Sequence, residues 1–134
     1  MIKRKLGTIV LSMVIITASL VTAGTSVEAK SDSKAMSIGE ITFGKGTASI
    51  EKYSGSATTA FSSPQVTCRV SANYRYLLAN GNKALQTKSA EGKQTVSVTF
   101  SCDTKYKSYS VEATCSAEKD GQQSNTAKPE VVLD

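Results

Sequence analysis

The residues of this sequence best suited to chemistry are three cysteines, Cys68, Cys102 and Cys115. A nucleophilic thiol needs an activating partner, and the commonest one is missing, because the 134-residue chain has no histidine. A zinc site needs ligand spacings that are absent here and a fourth ligand, with only Asp103 close by in sequence. The carboxylates Glu40, Glu51, Glu91, Glu112, Glu118 and Glu130 are scattered rather than paired. No glycine-rich phosphate loop is present; Gly44-Lys45-Gly46 reads as a turn. No catalytic set, cofactor site or metal site can be assembled, so the chain reads as a non-enzyme.

Two features suit binding instead. Lys105-Tyr106-Lys107 falls in a polar stretch, where a tyrosine between lysines can meet a sugar or an anionic polymer. Tyr74-Arg75-Tyr76 sets two aromatics on one face of a strand and a cation on the other; its plainer reading is a pair of tyrosines capping a core.

The start of the chain carries an address. Lys3, Arg4 and Lys5 precede an uncharged apolar run from Leu6 to about Val21, followed by small residues ending in Val27-Glu28-Ala29. That order matches a secretory signal peptide covering residues 1–29, cut after Ala29, or after Ala23 as the alternative. The run is shorter than the roughly 20 residues of a spanning helix, and Gly7, Ser12 and Ser19 dilute it, which argues against a permanent anchor. Loss of residues 1–29 removes three of 16 basic and one of 11 acidic residues, leaving 13 and 10 and a net charge of +3. Such mild, dispersed basicity suits an anionic envelope surface and is too weak for nucleic acid.

The remainder alternates apolar and polar residues with a period of two, the pattern of half-buried strands. Tyr109, Val111, Ala113, Cys115 and Ala117 share one face, with Ser108, Ser110, Glu112, Thr114, Ser116 and Glu118 on the other. Val96, Val98, Phe100 and Cys102 repeat the pattern, as do Val66, Cys68, Val70, Ala72, Tyr74 and Tyr76. Asn80-Gly81-Asn82, Ser89–Lys93 and Lys119-Asp120-Gly121 carry turn chemistry between these runs. Earlier strands are expected near Ser37–Phe43, Thr47–Tyr53 and Ala57–Phe61, broken by Gly44-Lys45-Gly46 and Ser54-Gly55-Ser56. Pro64 marks a strand start, and Pro129 a bulge or an edge. Residues 30–36 read as a disordered leader before one domain, 37–134.

About seven short strands with regular turns predict an all-β fold, a single antiparallel β-sandwich. The run Tyr109-x-Val111-x-Ala113-x-Cys115, followed by Gly121 and Ser124, resembles the penultimate strand of an immunoglobulin-like or fibronectin type III-like domain. The resemblance spans roughly 30 residues and implies a buried Tyr109 making a corner hydrogen bond. A signal peptide with a lone sandwich also looks like small exoproteins of Gram-positive bacteria.

An exported chain permits disulfides, and three cysteines leave one over. Loop closure favours Cys68–Cys115 over Cys102–Cys115 by only about 1 kcal/mol, which decides nothing. In a sandwich Cys102 falls at the end away from Cys115, whereas Cys68 and Cys115 both lie high on their strands. The layout therefore points to a Cys68–Cys115 disulfide with Cys102 free; the alternative leaves all three reduced and packed as small hydrophobes. The functional expectation is a secreted, non-catalytic module, free or loosely wall-associated, that binds a surface polymer or a protein partner. It would bind no nucleic acid and would not stay inserted in a membrane. A released effector, such as a small bacteriocin or toxin-like protein, is the alternative.

Overall fold

Alternation in the sequence becomes nine strands in the computed structural model, which describes residues 29–40 and 42–133. They are β1 (Ala29–Ile38), β2 (Thr42–Glu51), β3 (Ser54–Phe61), β4 (Thr67–Leu77), β5 (Lys83–Lys93), β6 (Thr95–Ser101), β7 (Lys107–Lys119), β8 (Gln122–Gln123) and β9 (Glu130–Val132). No helix occurs among the described residues. One sheet has the order β1-β2-β3-β6; the other has β5-β4-β7-β8, with β9 also on β7. Every pairing is antiparallel. This all-β, two-sheet arrangement fits a β-sandwich. The expected signal peptide lies in residues 1–29, all but the last of which are outside the described residues.

The inner faces carry the alternating apolar residues. Ala48, Ile50, Ala57, Val98 and Phe100 come from the first sheet, and Cys68, Val70, Ala72, Tyr74, Val111 and Ala113 from the second. Packing these faces together removes the apolar side chains from water, the main favourable term in folding.

Residues 30–36 are not a disordered leader: they lie in β1 and pair along their length with β2, from Lys30 opposite Ile50 to Met36 opposite Gly44. Their composition is polar because only Met36 and Ile38 of this edge strand reach the core. Within the described residues, β pairing is therefore already present at Ala29, ahead of Ser37.

Three glycines expected to break strands sit inside them. Gly44 and Gly46 belong to β2 and Gly55 to β3. A Cβ on Gly46 would lie 2.6 Å from the Cys115 thiol, and one on Gly55 would lie 2.7 Å from Val111. These positions are glycine because the opposite sheet comes too close for a side chain. Likewise Ser89–Lys93 are not a connection; they complete β5, with Gly92 opposite Cys68. From β5 to β6 the chain changes sheet through a single residue, Gln94, in a left-handed conformation at φ 65°. Gln94 ties both sheets, donating from its amide to Val66 and accepting at its carbonyl from the Phe61 amide.

Two turns formed where the sequence placed them. Asp120 and Gly121 both have positive φ, 49° and 83°, between the paired Lys119 and Gln122. That is the backbone a two-residue hairpin of matching twist requires. Gly81, at φ 88°, closes the loop after β4.

Both open edges of the sandwich are bridged by side chains. On one side Gln86 and Lys88 of β5 donate to the Ser101 and Thr99 carbonyls of β6, at 3.1 and 2.7 Å. On the other, Asn125 accepts from the Ser37 amide and donates to the Ala35 carbonyl of β1, while Asp32 accepts from the Glu130 amide. Unpaired edge groups are templates for aggregation, and here polar side chains occupy several of them.

Candidate functional site

The Lys105-Tyr106-Lys107 segment connects β6 to β7. Asp103 shapes it, accepting from the Lys105 amide at its carboxylate and from the Tyr106 amide at its carbonyl, at 3.0 and 2.9 Å. Tyr106 is half-buried rather than free. Its ring lies 5.7 Å from Tyr76, which lies 5.7 Å from Tyr74, which stacks on Phe100 at 5.3 Å. Four rings thus run from the core out to one end of the molecule. Lys105 places its ammonium 5.4 Å from the centre of the Tyr106 ring. Lys107 departs from this pair, because it opens β7 opposite Leu77.

The turn between β2 and β3 joins the same end, a neighbour that the sequence reading passed over. The Tyr53 carbonyl accepts from the Cys102 amide at 3.0 Å, and the Lys52 carbonyl from the Ser108 amide at 2.8 Å. Lys52 stands 5.3 Å from the Tyr53 ring centre, repeating the arrangement of Lys105 and Tyr106. The available signal was the Lys-Tyr dipeptide, present in both turns. Half-buried tyrosines with exposed ammonium groups above them can meet the C–H face of a sugar or the charge of an acidic polymer.

The Tyr109 expected to be buried is instead only half-buried, under the Lys83 ammonium at 4.5 Å. The cause is a bulge: Arg75 faces Ser110 and Tyr76 faces Ser108, so Tyr109 is the extra residue of β7. This one-residue shift turns Ser108 inward, and Tyr74 becomes the fully buried tyrosine. Its hydroxyl shares a 2.7 Å hydrogen bond with Ser108. Burial, followed by its contact with Cys102, pushes the Tyr74 hydroxyl pKa well above the usual tyrosine range, while the Ser108 bond pulls the other way. Burial and this hydrogen bond hold Tyr74 as a neutral phenol joining the two strands.

The expected Cys68–Cys115 disulfide is not formed; all three cysteines are free thiols. The two do occupy adjacent strands on one face, but Cys68 faces Ala117 and Cys115 faces Val70, an offset of two residues. Each thiol turns to a carbonyl instead, Cys68 to Gln94 at 3.3 Å and Cys115 to Thr58 at 3.7 Å. Burial raises the Cys68 pKa to about 11, with the neighbouring Cys115 adding to it, and burial raises Cys115 as well. Neutral buried thiols are poor nucleophiles. Three of the scattered carboxylates are ion-paired: Glu112 with Arg75 at 2.9 Å, and Glu118 and Glu91 with Arg69 at 3.2 and 3.4 Å. Among the described residues no group of three or more His, Cys, Asp or Glu side chains converges to hold a metal ion.

Two concavities lie on the outer faces of the sheets. The larger, about 570 Å³, crosses the first sheet; the smaller, about 460 Å³, lies over Ser71 and Ser89 on the second. Fold and surface together define an all-β protein of two antiparallel sheets with an aromatic, lysine-bearing end. No protein-family model, curated protein or solved structure matches the chain.

Proposed function

We propose that this chain is a secreted, non-catalytic module that binds a cell-surface polymer or a protein partner. The observation that carries the reading is the end at which two Lys-Tyr turns are tied together, with Tyr106 backed by a ladder of rings reaching into the core. A backed ring presents contact area at little cost in conformational entropy, and the ammonium groups add attraction for anionic polymers. The neutral thiols and ion-paired carboxylates support a binding role over a catalytic one.

Export rests on the basic head, apolar run and small residues of positions 1–29. Cleavage after Ala29 would leave β1 intact from Lys30 onward. The immunoglobulin-like or fibronectin type III-like likeness draws support from the run β2-β3-β6 within the first sheet and β5-β4-β7, with β9 beside β7, within the second. In a constant-type immunoglobulin domain the fourth strand joins the first sheet; here the corresponding β5 pairs with β4 in the second sheet, a departure from that arrangement.

Co-sedimentation with isolated cell walls tests the binding role. The mature protein should pellet with the walls, be released by salt, and lose most of its retention in a Tyr53→Ala/Tyr106→Ala variant whose circular dichroism is unchanged. Failure to pellet under any ionic condition would remove the reading and favour a released effector.

A further inference from the structure

The two outer faces of this molecule meet the same solvent and are built differently. The outer face of the β5-β4-β7 sheet mixes charge with hydroxyls: Arg69 bridges Glu91 and Glu118 and Arg75 pairs with Glu112, on either side of a single row of Ser89, Ser71 and Thr114. The outer face of the β1-β2-β3-β6 sheet is tiled with hydroxyls. Strand register sets Ser31, Ser49, Ser56 and Thr99 side by side in one row across all four strands. The next row is Ser33, Thr47, Thr58 and Ser97. Solubility alone asks for no such difference between faces.

From these two rows, and the groove of about 570 Å³ that they help to line, we infer that the outer face of the β1-β2-β3-β6 sheet is a binding site for an extended, uncharged glycan chain. The volume lies within the roughly 300–1,000 Å³ of sites that hold small ligands. Hydroxyls recur about 4.8 Å apart across the strands and about 6.7 Å apart along them, a lattice suited to a chain that presents its own hydroxyls at regular intervals. Each Ser or Thr hydroxyl offers one donor and two acceptor sites, as a sugar hydroxyl does.

Part of the lattice is already oriented. Ser33 and Thr47 are hydrogen-bonded at 3.0 Å, and Thr58 and Ser97 at 2.8 Å. Each pair uses one hydroxyl hydrogen internally, so one hydrogen and the remaining lone pairs face outward. Short side chains held this way lose little entropy on binding, unlike the long charged side chains of the other sheet. The charges bordering the groove, Lys30, Lys45 and Glu51, sum to only +1, so hydroxyls rather than charge make up most of its polar lining.

The groove shares none of its lining residues with Lys52, Tyr53, Lys105 or Tyr106, so the two sites can be altered independently. The test follows the backbone amide signals of the isotope-labelled full chain, produced for export, while chitin hexasaccharide and cellulose hexasaccharide are titrated in. The expected result is saturable shifts confined to β1, β2, β3 and β6 with at least one of the two. In a Thr47→Val/Thr58→Val variant, which keeps side-chain shape and strand preference, affinity should fall about tenfold, the loss expected for two hydrogen bonds. A Thr114→Val variant, on the exposed outer face of β7 in the other sheet, should bind these probes as the parent does. No saturable shift with either hexasaccharide would overturn the inference. Shifts centred on Tyr53 and Tyr106 would also overturn it, while leaving the terminal binding site standing.

Discussion

The hydroxyls of Tyr74 and Ser108 lie 2.7 Å apart inside the sandwich, joining the centre of β4 to the start of β7. Ser108 also donates to the Ser54 carbonyl of β3 at 3.4 Å, so one serine ties a strand of each sheet to a buried phenol. Tyr74→Phe and Ser108→Ala should each destabilise the fold by about 1 kcal/mol, since each leaves a buried polar group short of a partner. The double variant should cost less than the sum. Tyr109→Phe should change stability by less than about 0.5 kcal/mol, because Tyr109 lies outside the core. Urea unfolding of the four variants measures these differences.

Gly46 faces the Cys115 thiol with no room for a Cβ. Gly46→Ala should cost about 1–3 kcal/mol through overpacking. Adding Cys115→Ala, which removes the thiol at 2.6 Å but leaves the Cys115 Cβ at 2.7 Å, should recover a small part of that loss. If Gly46 were instead needed for backbone freedom, the second change would recover nothing. Thermal unfolding of both variants distinguishes the two.

The raised Cys68 thiol makes stability depend on pH. Below about pH 9 the thiol is protonated in folded and unfolded chains alike, so its contribution is fully present. Between about 9 and 11 the unfolded chain releases a proton that the fold retains, so stability falls as pH rises. The limiting slope is about 1.4 kcal/mol per pH unit. Cys68→Ala should be less stable at neutral pH but show a shallower decline across this window, measured by urea unfolding at a series of pH values.

Asn125 is the clasp between the β8–β9 connection and the free edge of β1, through two hydrogen bonds. Asn125→Ala should destabilise by about 1–2 kcal/mol. Its local signature is faster amide exchange in β1, with β4 and β7 unchanged. Uniform acceleration throughout the protein would mean that β1 opens only on global unfolding.

Thiol chemistry offers a separate check on the cysteines. Under native conditions Cys68 and Cys115, fully buried, should resist alkylation, while half-buried Cys102 reacts first. After unfolding without reductant all three should be labelled. Protection of Cys68 and Cys115 at that stage would restore the disulfide.

Much of the architecture was legible along the chain. Alternation at Val66–Tyr76, Val96–Phe100 and Val111–Ala117 marks the core face correctly, because side-chain direction in a strand is a local property. Asp120-Gly121 marks its hairpin for the same reason: positive φ is a demand that a residue meets by itself. Lys105 and Tyr106 were visible as a candidate end. Tyr53 and Tyr76, which complete it, lie 53 and 30 positions earlier and share no local pattern with it.

What the sequence by itself determined is β4, β6 and β7 and, over most of each, which side faces inward, because each carries a period of two; β1, β5 and the continuity of β2 through Gly44 and Gly46 were not legible in it. Tertiary structure alone decided the rest. Gly46 and Gly55 read as turns because their purpose, close approach of Cys115 and Val111, belongs to the opposite sheet. Tyr109 read as buried because a bulge is a mismatch in count between β7 and its partner β4, invisible in either strand alone. The hydroxyl rows of Ser31, Ser49, Ser56 and Thr99, and of Ser33, Thr47, Thr58 and Ser97, exist only once four strands adopt one register. Register is fixed by packing between distant segments, and no local stretch of the chain contains it.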